Sequence, residues 1–321
     1  MKVKNFRACN ELFNHVLDGH IIAAVAAECN VRSWQEVRQI LTETSWRIII
    51  KDIRDKKSNL QKVGKLRESK DKDRDILHEN ALLFLQHGLM YRDFCNAMRF
   101  GDSGRVIHCL VYFAIWFQGS GLSNYAWEIM HMVTCVRHTW SEEMVEFWKN
   151  NCLLNPSGSP KGFMAFDYLC EHFVREHKLR MPTSPNPAQD RYHREVHSPQ
   201  LMTYRDARER MLKESGAIHY YMHSSVVDPT LDVQTIAEHL ISEGVFYCRG
   251  GRTGFTDKAA ADLHEIGTGK MYSGQPIADY KLKVVTSMMG AGDTSAEDDE
   301  MPEPESVYDN DDDLIDFVEQ P

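Results

Sequence analysis

Apolar residues recur at helical spacing along most of the first 180 positions. Between residues 10 and 28, Leu12, Phe13, Val16, Leu17, Ile21, Ala24 and Val25 fall on one face of a 3.6-residue period, which predicts an amphipathic helix. Ser33-Trp34-Gln35-Glu36 has the form of a capping box, with Glu36 placed to reach back to the Ser33 amide, and predicts a second helix to about residue 53. The densest apolar region follows, with helical patterns over 76–100, 104–117 and 123–136 separated by the glycine-containing breaks at 100–102 and 118–121. Thr139-Trp140-Ser141-Glu142 is a further capping box and opens a short helix ending near residue 150. A loop at 155–160 precedes a helix over about 162–178. Beyond it, Pro182, Pro185, Pro187 and Pro199 mark an irregular crossing, with helices expected over 204–214 and 233–242 and one short strand at Val245-Phe246-Tyr247-Cys248.

These patterns divide the chain into an N-terminal helical pair (1–55), a charged helical extension or linker (56–75), a helical core (76–180), a looser helical and loop region (181–292) and a disordered acidic tail (293–321). The fold class expected is mainly α, a single large helical domain with a loop-rich C-terminal part. The formal charge of -10 misleads as a global figure, because residues 293–321 hold 13 acidic and no basic side chains. Without them the balance is 37 basic against 47 - 13 = 34 acidic, a nearly neutral body that neither demands nor excludes nucleic acid. The tail carries too little apolar surface to fold alone. Eight cysteines lie far apart with no CxxC pair, which argues for reduced thiols and an intracellular, nuclear or cytoplasmic setting. No window of about 20 apolar residues exists to span a membrane.

The stretch Glu79-Asn80-Ala81-Leu82-Leu83-Phe84-Leu85 through Asp93-Phe94, then residues 97–106, resembles the centre of the family catalogued as domain of unknown function 6589. Three further blocks agree in order: residues 121–128 (Gly-Leu-Ser-Asn-Tyr-Ala-Trp-Glu), 154–158 (Leu-Asn-Pro-Ser-Gly) and 167–172 (Asp-Tyr-Leu-Cys-Glu-His). Looser similarity runs from about residue 12 to 290. The resemblance implies transposon-derived proteins, expanded in basidiomycete fungi, whose biochemical activity is not established. Its members are often longer at the N-terminus, so the chain is expected to be a C-terminal portion or shortened copy, DNA-associated and not a competent transposase.

Mobile-element proteins commonly cut DNA with three carboxylates that hold two Mg²⁺ ions. By resemblance the positions here are Asp102 and Glu128, with a third that is Asp167 or Glu171 or lies upstream in residues this chain lacks. Each has a structural alternative: Asp102 as a helix N-cap, Glu128 in an ion pair with Arg105 or Arg99, and Glu171 paired with Arg175 on a solvated face. Apart from Mg²⁺ for such a trio, no cofactor is evident. His131, Cys135 and His138 share one helical face, which zinc could use with a fourth ligand from elsewhere; polar packing is the alternative. Gly267-Thr268-Gly269-Lys270 fails the phosphate-loop pattern at His264 and Met271. Lys56, Lys57, Arg249 and Arg252 are candidate phosphate contacts, although the basic run from 51 to 74 lacks aromatic side chains for base stacking. In the tail, Leu314, Ile315, Phe317 and Val318 form an apolar strip within acidic residues that could dock on a basic groove of a protein partner. Two readings of function follow: a DNA-associated mobile-element remnant, and a non-catalytic helical interaction module using the acidic tail. A metal-dependent nuclease is a third.

Overall fold

The computed structural model describes residues 6–40, 49, 51, 53, 60–68, 74–179, 191–192, 195–196, 198–215, 228–252, 258–273 and 280. Lys56, Lys57, Leu314, Ile315, Phe317, Val318 and the whole of the acidic stretch 293–321 lie outside them. The fold is mainly helical, as the periodicity predicts, with helices α1 (Phe6–Cys29), α2 (Trp34–Ile40), α3 (Leu60–Arg67), α4 (Ile76–Arg99), α5 (Ser103–Ser120), α6 (Ser123–Thr134) and α7 (Glu142–Asn151). A two-strand antiparallel hairpin, β1 (Leu153–Leu154) and β2 (Met164–Ala165), leads into α8 (Phe166–Leu179), followed by α9 (Ser198–Glu214), α10 (Thr230–Ser242) and α11 (Leu263–Ser273).

Local chemistry sets the helix ends. Ser33 Oγ accepts from the Glu36 amide at 3.3 Å and donates to Glu36 Oε1 at 2.9 Å, but the other Glu36 oxygen takes the Arg32 amide, not the expected Ser33 amide. At α7 the cap is Ser141, which accepts from Met144 N at 3.3 Å; Thr139 instead ends a π-type turn of residues 135–139. Pro199 sits in the first turn of α9, where a missing N–H costs nothing. Between α4 and α5, Gly101 adopts φ +72°, and a side chain there would also strike the Phe163 ring at 2.7 Å.

The main core joins Leu17, Ala24 and Val25 of α1, Val37 of α2, Ile53, Val63 of α3 and Ala81, Leu82, Leu83 and Leu85 of α4 to Val245 and Phe246. A smaller cluster of Ala97, Val106 and Leu153, flanked by Phe94, Leu110 and Phe163, fastens the hairpin to the α4–α5 corner. Burial therefore extends well outside residues 76–180, where the sequence pattern places the helical core, because α4 is long enough to serve two clusters in succession. Val245 and Phe246 are not a strand either. Gly244 at φ +60° turns the chain, Val245 N donates to Leu240 O, and both apolar side chains drop into the core.

The C-terminal helices close over this body. α10 lies along α1, with Gly19 so near Ile236 that a Cβ would approach it at 2.5 Å. α11 lies along α5 at backbone contact: a Cβ on Gly267 would sit 1.9 Å from Ile115 O, and one on Gly119 2.3 Å from Leu263 O. Lys270 Nζ donates to the Gln118 and Gly119 carbonyls, so Gly267-Thr268-Gly269-Lys270 is a helix-packing seam.

Candidate functional site

Asp102 stands just before α5, and its carboxylate accepts from Arg105 N at 2.9 Å, the N-cap geometry that a short acidic side chain offers there. Arg105 bridges it to a second carboxylate, with Nη2 at 3.0 Å from Asp102 and Nη1 at 3.3 Å from Asp93. The Arg105 amide and guanidinium hold the Asp102 carboxyl below its ordinary range. Beneath the pair, Cys109 Sγ lies 3.7 Å from Asp93, and burial followed by the Asp93 charge pushes its thiol up to about 11. That thiol is protonated at neutral pH and is no nucleophile.

Glu128 does not join this group. α5 has 18 residues and so runs roughly 27 Å, with Asp102 at its start and α6 beginning beyond its end. Even if α6 doubled straight back, Glu128 would regain only about 8 Å of that length. The expected convergence of Asp102 and Glu128 is thus corrected by helix length: the gap far exceeds the about 4 Å separating paired metal ions. Of the two partners expected for Glu128, Arg105 is taken by Asp93 and Asp102. Asp167 does share an end with Asp102, because Phe163 N donates to Arg99 O and the hairpin leads into α8, but its Oδ1 accepts from the Tyr168 amide at 2.8 Å. Glu171 is exposed one turn further along α8. His131 Nε2 and Cys135 Sγ are 3.7 Å apart, and His138 is exposed on the π-type turn. Among the described residues no three His, Cys, Asp or Glu side chains are grouped to hold a metal ion.

Arg252, expected at a phosphate, is turned inward at 9% exposure. It pairs with Asp75 at 3.0 Å and donates to the carbonyls of Glu243, Gly244 and Tyr247. Arg249 is exposed, and its backbone N–H donates to Asp75 at 2.8 Å. These contacts belong to a buried polar assembly at the start of α4. Asp75 caps α4 through His78 N, and His78 Nδ1 meets Val245 O at 2.9 Å. Glu79, 1% exposed, takes Arg74 Nε at 2.9 Å and Nη2 at 2.6 Å together with Arg67 Nε at 3.3 Å. Asn80 exchanges hydrogen bonds with Lys258 O and Ala260 N. The sequence holds a signal for this assembly: Glu79 stands three and four residues before the buried Leu82 and Leu83, so its charge lies on the core face and demands a buried partner.

Residues 1–223 match the model of a family of unknown function, DUF6589. The chain belongs to that family. No curated protein and no solved structure matches it significantly. The DUF6589 match ends short of residue 290, to which the sequence resemblance extends loosely. Within it, the block beginning at Glu79 supplies both core leucines and the buried carboxylate, the block at 97–106 is the Gly101 corner, and the block at 154–158 is the tip of the hairpin. Several of the groups that satisfy Asp75, His78 and Asn80, from Val245 to Ala260, lie beyond the matched residues.

Proposed function

We propose that this DUF6589 protein acts by binding and carries out no chemistry of its own, as a helical remnant of a mobile-element protein that associates with DNA in the nucleus. What supports the reading is the separation of the candidate carboxylates: Asp102 is held by its own helix and Arg105, while Glu128 lies beyond the reach of a shared ion pair. For DNA as partner, the support is the resemblance together with the basic stretch 51–75. That stretch holds ten basic against six acidic residues, of which Arg67, Arg74 and Asp75 are used internally.

The protein is expected to retain a labelled duplex with an affinity that falls steeply with salt, and to leave it uncut in Mg²⁺. Mg²⁺-dependent cleavage that disappears in Asp102→Asn overturns the non-catalytic part, and absence of retention at low salt overturns the DNA part. One observation favours a second reading, a protein-binding module: α7 buries none of its residues and shows Phe147 at 63% exposure with Met144 beside it. Among the described residues no helix is long and apolar enough to cross a membrane.

A further inference from the structure

Two histidines of the family region, one on α1 and one on α4, lie under the C-terminal limb. His87 packs its ring 4.4 Å from Trp116 of α5, where α4, α5 and α11 meet. Its Nε2 is buried with no hydrogen-bond partner, and His264 Nδ1 and Thr268 Oγ1 of α11 are in the same condition. His20 lies 4.5 Å from Phe84 of α4 and 6.1 Å from Phe246 of the limb, with Nδ1 bonded to Val16 O at 2.8 Å. We infer that residues 228–252 and 263–273 form an acid-releasable clasp: at neutral pH they close over the family core upon uncharged His20 and His87, and protonation of these rings opens the limb.

On α10, which packs along α1, Glu238 and His239 are exposed, as is Glu243 at its end, and Asp232 pairs with His15 of α1 at 3.7 Å. Asp262, just before α11, favours a charged His87, and His264 of α11 opposes it. The Asp262 carboxylate is buried and already accepts from the His264 and Glu265 amides. α5 offers Trp116 and Phe113, which are uncharged, and its His108 is exposed with its ring against Tyr112. On α11, Glu265 is exposed and Lys270 is bound to the α5 carbonyls; on α4, Tyr91 lies one turn beyond His87 and donates to Asn10 of α1. Burial outweighs Asp262, so His87 ionises below the ordinary imidazole range. For His20 the same direction comes from burial, against the backbone bond to Val16, with no ionisable neighbour acting on it. A proton added to either ring must find an acceptor or water. The limb can supply water by separating, which withdraws Val245 and Phe246 from the core that they share with α1 and α4.

The test is hydrogen–deuterium exchange on the full chain at about pH 7.5 and about pH 5, corrected for intrinsic rates, because an unperturbed imidazole titrates between them. α11 and residues 243–247 are expected to lose protection at the acidic pH while Leu82 to Leu85 keep theirs, and the doubly substituted His20→Phe/His87→Phe chain to keep the limb protected at both. Equal limb protection at the two pH values overturns the proposal, as does the same loss in the substituted chain or simultaneous loss from core and limb. Should the substituted chain fail to fold, the native protein still decides by NMR: limb opening must follow titration of the His20 and His87 rings, and rings that titrate under a protected limb refute the clasp.

Discussion

Replacing Glu79 by alanine tests whether the buried polar assembly at the start of α4 organises the fold. Alanine is the better helix former, so any loss must come from the contacts. Breaking a buried ion pair by removing one partner costs about 3–5 kcal/mol. Here Arg67 and Arg74 keep 21% and 17% of their side-chain surface in water, which cushions the stranded charges and puts the expectation near the lower limit, about 3 kcal/mol. With roughly 2–4 °C lost per kcal/mol in a body of this size, the melting midpoint should drop by about 6–12 °C. Thermal and urea denaturation followed by circular dichroism measure it. The companion variant is Asp102→Ala, which removes an exposed cap and should cost only about 1 kcal/mol. If Glu79→Ala proves no worse than Asp102→Ala, the buried carboxylate is not an organising contact. A Glu79→Ala/Arg74→Ala double variant should lose less than the sum of the single losses, since the two removals share one interaction.

Gly267→Ala should destabilise strongly and detach α11, because a Cβ meets Ile115 O at 1.9 Å, whereas Gly269→Ala on the same helix meets nothing within 4 Å and should gain up to about 1 kcal/mol; urea midpoints separate the two. A chain cut after residue 223 retains the matched family region but removes the partners that Asp75, His78 and Asn80 have beyond it, and should give broad, weakly cooperative melting in calorimetry. Stability should also fall with acid in a defined direction. His20 and His87 ionise below the ordinary imidazole value of about 6.5 when folded, so their contribution is complete above that pH and is lost as pH falls through it, which urea midpoints at several pH values will track.

The helices were legible because burial of one face imposes a period of 3.6, and α1, α4 and α5 obey it over long stretches. Capping boxes located α2 and α7 within a residue or two. What sequence could not give was pairing across distance: Arg252 with Asp75, or Ala260 with Asn80, joins positions that no local period connects. Val245 and Phe246 misread as a strand for a related reason, since β-type residues in a turn look the same when their burial is set by a helix far away in sequence. The candidate carboxylates rest on resemblance, and the length of α5 alone separates two of them.

The dependence of α4 on the chain beyond residue 223 also bears on synthesis. As the polypeptide leaves the ribosome, Asp75, His78 and Asn80 emerge long before their partners, and Arg249 follows Asp75 by 174 residues. Until then these groups hydrogen-bond to water, and the Leu82–Leu85 stripe lacks Val245 and Phe246. The nascent chain therefore passes through a long interval with apolar surface uncovered, a state that chaperones recognise and that invites aggregation when they are scarce.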